Sequence, residues 1–434
     1  MRYLLLSGML MLVSLCLDAQ TPYFPPAVAS SDWETTDPAS LGWCPERIDS
    51  LYNYLGAHNT KAFIVLKDGR IVLEHYFGTF TQDSLWYWAS AGKTLTGTMV
   101  GIAQEEGSLD ITQPTATYLG AGWTGESPGL EQQITVRHQL TMTTGLNDGV
   151  ANVDCTDPGC LTYLADAGTR WAYHNAPYTL LQDVVANATG QLYGAYFNTR
   201  LRDPIGMDGF WIPLDDLSVY FSTARSMARF GLLALNRMVW DGDTLLHDTA
   251  YFNAATTPSQ SLNLSYGYLW WLNGQPTYML PQTQFIFPGP LMPNAPEHMF
   301  NGLGKNDQLL NVVPGQGLVL VRMGNAADVS LQVSSYFNNL IWQYMNELDC
   351  TTGTGETGPG QGFSIMPNPA SAMVRIAVPT DVGIGQVLVL DGQGRTVLSV
   401  EEAKELDVRG LRPGLYLMRV STTAGTWTNR LVKE

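Results

Sequence analysis

The order of helix and strand signals along this 434-residue chain predicts an α+β fold followed by a small all-β sandwich. Three observations carry that expectation. Strand-like apolar runs open at Ala62 and return only after Tyr266, with helical periodicity between them. That order implies a mixed sheet covered by helices, with a mostly helical insertion. A Gly- and Thr-rich stretch at 351–361 reads as a linker, and beyond it short strands alternate with turns. The length also exceeds what one small core organises, so at least two domains are expected.

Residues 1–19 read as a signal peptide: Arg2, an apolar core from Tyr3 to Leu17, then Asp18-Ala19 before Gln20. Cys16 is placed like a lipoprotein cysteine, but Leu15 before it is too large for that processing. Residues 20–39, rich in Pro, Ser and Thr, read as a leader or linker, and 40–350 as the main domain. Pro45 to Ala57 places Ile48, Leu51, Tyr52 and Leu55 on one helical face. Ala62–Leu66 and Ile71–Tyr76 flank Asp68-Gly69, a hairpin turn signal. The aromatic run Trp86-Tyr87-Trp88 leads into Ser90-Ala91-Gly92-Lys93, after which Leu95, Met99, Ile102 and Ala103 recur at helical spacing. Gly92, Gly97 and Gly101 weaken that helix, which makes sense if it is buried with neighbours pressed close. Further helices are expected at 135–146, 176–188, 222–239 and 328–348, and strands at 266–272, 309–313 and 318–323. In the terminal domain, 362–434, strands are expected at 374–378, 386–390, 396–400, 415–420 and 426–432, with a turn at Asp391–Gly394.

The charge balance, 23 − 39 = −16, argues against nucleic acid and anionic membranes as partners. No stretch beyond the signal peptide is long and apolar enough to span a bilayer, so the mature chain carries no transmembrane segment. No metal or nucleotide motif is present, and no cofactor is expected. Export leaves Cys44, Cys155, Cys160 and Cys350, an even count that points to two disulfides. Cys155 and Cys160 flank the turn-forming Thr-Asp-Pro-Gly and are expected to pair; Cys44 and Cys350 bracket the middle region.

Ser90-x-x-Lys93 at a helix start carries the chemistry. A serine hydroxyl needs a base, and an amine one turn away supplies one if burial lowers its pKa. Free N–H groups at a helix N-terminus favour developing negative charge. By itself the motif is better read as an N-cap serine followed by a solvated lysine, and its partners reverse that preference. Tyr173-His174-Asn175, before the next helix, adds a phenol to share the proton and an amide to hold Lys93.

With Tyr-x-Asn beside Ser-x-x-Lys, the chain resembles serine β-lactamases and penicillin-recognising enzymes, in particular the class C-like esterase and peptidase branch. Leu140-Thr141-Met142-Thr143-Thr144-Gly145-Leu146, Pro204–Met207, Ser222–Gly231 and Tyr266–Trp271 match further segments of that family, and the resemblance covers about residues 40–348. It implies an antiparallel sheet flanked by helices with a helical subdomain. It also implies an acyl-enzyme mechanism with Ser90 as nucleophile, Lys93 and a Tyr173 phenolate as the acid–base pair, and Asn175 holding Lys93 or the substrate. In such a fold the first and last helices lie side by side, which pairs Cys44 with Cys350. The family's third motif, Lys-Thr-Gly on the strand lining the site, is best matched by Gly302-Leu303-Gly304, with Lys305 giving the second oxyanion N–H. Gly302 then stands where the family has a cation, so β-lactams are expected to be poor substrates and small esters, amides or peptides better ones. If a carboxylate partner exists, Lys305, Arg137 or Arg170 is the candidate. Trp86, Tyr87, Trp88, Trp171, Trp270 and Trp271 are expected to form an apolar acyl pocket. A true β-lactamase or DD-peptidase, and an inactive surface binding module, are the alternatives.

Residues 362–434 resemble the C-terminal sorting domain of type IX secretion, on Met366-Pro367-Asn368-Pro369-Ala370, Asp391–Arg395, Leu411–Met418 and Arg430–Lys433. That implies partnership with the type IX machinery, passage through the periplasm of a Gram-negative bacterium, and release or display at the cell surface.

Overall fold

The computed structural model describes residues 22–329, 334–350, 364–378, 382–391, 395–422 and 425–433. The expected signal peptide, the 351–361 linker and turn residues Gly392–Gly394 lie outside them. The chain divides into two compact units, 1–349 and 350–434.

The first unit begins with a segment expected to be a leader or linker. Its described residues instead pack on the domain, because its apolar groups find partners there. Trp33 is buried and its indole donates to the Gly69 carbonyl at 2.7 Å; Phe24 meets Trp240 edge-on at 5.1 Å. Helix α1, Pro45–Ala57, buries Leu51 and Leu55. Strands β1, Thr60–Lys67, and β2, Arg70–Tyr76, form the expected hairpin, with Asp68 and Gly69 both at positive φ as a two-residue turn requires. After the short strand β3, Trp86–Tyr87, a 3₁₀ turn at Ala89–Gly92 runs into helix α2, Lys93–Glu105. Every residue of α2 from Lys93 to Ala103 is buried.

The helical region contains more strand than the sequence disclosed. Helix α3, Val136–Leu140, is shorter than expected. The expected 176–188 helix is two pieces, α4, Asn175–Thr179, and α5, Leu181–Thr189. Strands β4, Phe210–Leu214, and β5, Leu217–Ser222, join β3 in a separate sheet, and helix α6, Ala224–Leu235, follows. Strand β6 is only Trp271–Leu272, since Leu269 at positive φ breaks the expected run. Then come β7, Phe300–Gly304, β8, Gln308–Val313, β9, Leu318–Gly324, and helix α7, Ser334–Met345.

The main sheet runs β2-β1-β9-β8-β7-β6 and its pairs are antiparallel, where strand order alone implied a mixed sheet. Side chains alternate faces along a strand, and β9 displays this. Val319 lies beneath Gly231 of α6, whereas the Arg322 guanidinium stands 5.2 Å from the Phe337 ring of α7. Helices thus cover both faces. Tyr54 of α1 stacks on Tyr344 of α7 at 4.4 Å. Beside them Cys44 N–H donates to the Leu348 carbonyl at 2.8 Å, and Cys44 and Cys350 are both disulfide-bonded. Cys155 and Cys160 are bonded to each other.

The second unit has two antiparallel sheets, one of 364–366, 373–377 and 405–407, the other of 396–401, 384–390, 414–422 and 425–433. They share a core that includes Val374, Ile376, Val387, Val389, Met418 and Leu431. This is the expected all-β module, with the strands at 364–366 and 405–407 missed because they are three residues long.

The glycines of α2 are there for close contact. A Cβ on Gly101 would sit 2.5 Å from a Tyr251 ring carbon, and Tyr251 is held in place by its hydroxyl donating to the Gly97 carbonyl at 2.6 Å. Gly101→Ala should therefore lower stability by about 1–3 kcal/mol, overriding the roughly 1 kcal/mol that alanine gains in helix propensity. Urea unfolding of the two proteins checks this; equal or higher stability of the variant would contradict it.

Candidate active site

The site is built where α2 meets β7. In a 3₁₀ turn, residues three apart eclipse, so the Ala89–Gly92 turn stacks Ser90 directly against Lys93. Ala89, just before Ser90, is held at φ +48°, a conformation that costs energy for a residue with a Cβ. Lys93 Nζ donates to Ser90 Oγ at 3.0 Å and to Asn175 Oδ1 at 2.8 Å. His174, the N-cap of α4, is extended. Alternation then sends Tyr173 and Asn175 to one side, towards Lys93, and His174 to the other, where it is buried. Tyr173 and Ser90 line the same cavity.

Lys93 is 3% exposed. Its Nζ lies 4.3 Å from the centroid of the Tyr178 ring and 4.9 Å from that of Tyr173. Burial pushes its pKa down to about 7, against an opposing pull from the Asp154 charge. Burial also pushes the Tyr173 phenol well above its ordinary value, outweighing the lowering influence of the nearby Ser90 side chain. The phenolate expected from the sequence is therefore not the resting form. At neutral pH this side chain keeps its proton.

β7 closes the other side. A Cβ on Gly304 would lie 2.4 Å from the Trp88 carbonyl oxygen and 3.0 Å from Ala91 N, so only glycine lets the strand approach the turn. Gly302 is similarly confined: its Cβ would meet Ala91 O and Thr94 Cγ2 at 3.3 Å. The hairpin turn after Gly304 is fixed by the fully buried Arg322, which donates to the Asn306 and Asp307 carbonyls at 2.9 Å.

A cavity of about 380 Å³ opens above Ser90. Tyr173, Trp271, Leu280–Thr283, Leu291, Leu303, Gly304, Lys305, Ser334 and Ser335 line it. Gly302 does not. Of the six aromatic residues expected to form the acyl pocket, only Trp271 is among the described lining residues. Trp88, Trp171 and Trp270 are core, and Trp86 and Tyr87 pack on each other at the edge of β3. Neither Arg137, which donates to the Ser259 carbonyl, nor Arg170, paired with Asp148 at 2.7 Å, reaches the cavity. Sequence reasoning missed Tyr178, the loop 280–283, Ser334 and Asp154, whose carboxylate accepts from Asn175 Nδ2 at 2.8 Å. No motif marked them, since each is brought in by the fold from a separate loop or helix. Among the described residues no helix is long and apolar enough to cross a membrane, and no cluster of His, Cys, Asp and Glu is placed to hold a metal.

A buried lysine poised against a serine, closed by a glycine-bearing strand, defines a serine-hydrolase type of site on an antiparallel sheet. Residues 54–333 match the Beta-lactamase family model, and the chain belongs to that family. Residues 364–434 match the secretion system C-terminal sorting domain, an export signal for passage to the cell surface or beyond. Among curated proteins the chain is similar to the 6-aminohexanoate-dimer hydrolase of Paenarthrobacter ureafaciens, 26% identical over 45% of this chain and 56% of that protein. It is also similar to penicillin-binding protein 4* of Bacillus subtilis (strain 168), 25% identical over 38% of this chain and 40% of that protein. The match thus spans about half the length of these relatives. The solved penicillin-binding protein homologue from Caulobacter crescentus shares the fold, with a TM-score of 0.54 at 14% identity over 70% of this chain and 98% of that one.

The pKa of Lys93 makes a stability prediction. Because burial depresses it below its unfolded value, the unfolded chain binds more protons between pH 7 and 10.5. The cost of burying the charged form is full below pH 7 and is relieved as pH rises through that window. Lys93→Met should gain its largest stability advantage over the native chain near pH 6, shrinking towards pH 10. Urea unfolding at intervals across that range measures it; a pH-independent difference would refute the assignment.

Proposed function

We propose that this protein is an exported serine hydrolase that acts on small esters, amides or peptides through an acyl-enzyme on Ser90. The observation that carries this reading is the 3.0 Å contact between Ser90 Oγ and a lysine whose pKa burial has brought to about 7. Neutral Lys93 takes the Ser90 proton as Oγ attacks the acyl carbon. The Ser90 and Lys305 backbone N–H groups stabilise the oxyanion. The ammonium so formed lies beside the Tyr173 ring and offsets the cost of ionising the phenol. Tyr173 then delivers its proton to the leaving group and is reprotonated from Lys93. Water repeats the sequence to release the acid. Asn175 holds Lys93 throughout.

The C-terminal module is an address and not part of the site, since every described residue of the cavity lies before Asp349. It would carry the enzyme across the periplasm to the type IX machinery of a Gram-negative cell.

Ser90→Ala should abolish ester hydrolysis and labelling by a fluorophosphonate probe while circular dichroism is unchanged. In the native enzyme kcat/KM should rise with pH through about 7 as Lys93 loses its proton. Retained activity in Ser90→Ala ends this reading.

A second reading has one observation behind it. Lys305 is the one cation among the described lining residues, and no acid is among them. It could meet a substrate carboxylate, as in a β-lactam or a peptide C-terminus. The absence of a cation at Gly302 still favours uncharged substrates, a difference of roughly 1.5–3 kcal/mol for one charge-assisted hydrogen bond. Comparing kcat/KM for p-nitrophenyl butyrate and nitrocefin decides between them: the ester should win, and a preference for nitrocefin that Lys305→Ala removes would install the second reading.

A further inference from the structure

We infer that Asp154 is a positioning residue, which sets the direction of the Asn175 amide and through it aims the Lys93 lone pair at Ser90. The inference rests on the catalytic reading above and concerns a residue outside the cavity.

The argument begins with the amide. Asn175 has one accepting and one donating end, and its two neighbours ask for different ones. Asp154 Oδ1 lies 2.8 Å from Asn175 Nδ2, and a carboxylate only accepts. The amide must therefore turn its NH₂ to Asp154 and its oxygen to Lys93, at 2.8 Å. A neutral amine has two N–H bonds and one lone pair. With the carbonyl of Asn175 before it, Lys93 spends an N–H there, and when the ammonium loses the proton it now donates to Ser90, the lone pair left behind faces the Ser90 hydroxyl. If the amide were flipped, its NH₂ would occupy that lone pair and quench the base.

Asp154 is itself well anchored. Its N–H donates to Asn152 Oδ1 at 3.1 Å, and the Asn152 amide donates to Asp216 at 2.9 Å. Cys155, the next residue, is tied to Cys160 by the disulfide, which restrains the chain immediately after Asp154. The groups around this relay are few. Ser90, Tyr173 and Tyr178 face Lys93. Beyond Asn175, His174 senses the charges of Asp148, Asp154 and Arg170, and burial pushes its pKa down to about 4, so it stays neutral at working pH. Asp148 is paired with Arg170. Asp154 is the charge that acts on Lys93, and it opposes the lowering caused by burial.

Acceptor and charge can be separated. Asp154→Leu removes both; Asp154→Asn keeps an acceptor for Asn175 and removes only the charge. With p-nitrophenyl butyrate, Asp154→Leu should lose about ten- to hundredfold in kcat with little change in KM, the range set by leaving one buried donor unpaired. Asp154→Asn should recover most of that kcat on the alkaline plateau. In both variants the rising limb of the pH profile should move to lower pH, by roughly half a unit or more, because the charge that favoured the ammonium is gone. A purely structural role would not move the limb in a variant with the native unfolding temperature. Native kcat and limb in Asp154→Leu, or a limb that moves to higher pH, overturns the inference. If Asp154→Leu does not fold, the limb of Asp154→Asn decides alone, and an unmoved limb overturns it. Ser90→Ala, assayed alongside, separates the two claims. If it is active, the catalytic reading fails. If it is dead while the Asp154 variants behave as native, only the role of Asp154 fails.

Discussion

An ammonium group taken out of water is the constraint on which this site depends. Lys93 sits on a helix whose first eleven residues are all buried, and its Nζ has two tyrosine rings, a serine hydroxyl and an asparagine oxygen for company. Burying a charge without full compensation is costly, and the group responds by giving up its proton nearer to neutral pH. The same environment that makes Lys93 a poor contributor to stability is what the proposed role as a base requires. A lysine left on the surface of α2 would have kept the ordinary lysine pKa.

Close packing follows from that demand. For α2 to be buried, its neighbours must reach its backbone, and Gly97 and Gly101 let Tyr268 and Tyr251 do so. For water to be kept from the turn at Ser90, β7 must lie against it, and Gly304 lets the strand come within contact of Trp88 and Ala91. The Ser334 hydroxyl, at the start of α7, donates to the Gly304 carbonyl at 2.6 Å and pins the strand from the far side. Arg322, buried from β9, ties the turn that follows. Strand and turn are thus fixed by groups from the second half of the sheet.

The cavity above Ser90 is a mixed one. Trp271, Leu280, Leu291 and Leu303 give it apolar walls, while Gln282, Thr283, Lys305 and Ser335 give it hydrogen-bonding groups. Two relatives with unlike names, a 6-aminohexanoate-dimer hydrolase and a penicillin-binding protein, align to this chain at similar identity. The loop 280–283 contributes four of the described lining residues, more than any other segment.

Much was legible in one dimension. The two-domain order, the hairpin at Asp68-Gly69, the Ser90-x-x-Lys93 and Tyr173-x-Asn175 spacings and the glycine-bearing strand at 302–304 are local patterns, and local geometry fixes them: a turn needs positive φ, a 3₁₀ turn eclipses residues three apart, an extended residue separates two neighbours onto one side. Other features had no local cause. Whether Trp88, Trp171 and Trp270 were pocket or core depended on which elements came to cover them, and they became core. Whether Tyr173 rested as phenol or phenolate depended on how much water the folded chain left around it. Asp154 had no motif at all; it acquired its place because the chain twenty-one residues before Asn175, next to the Cys155–Cys160 disulfide, folds back on the amide. Residue identity and spacing determined which chemical groups this protein has. Burial and the direction of each hydrogen bond, which arise only when distant segments pack, decided the protonation states in which those groups work.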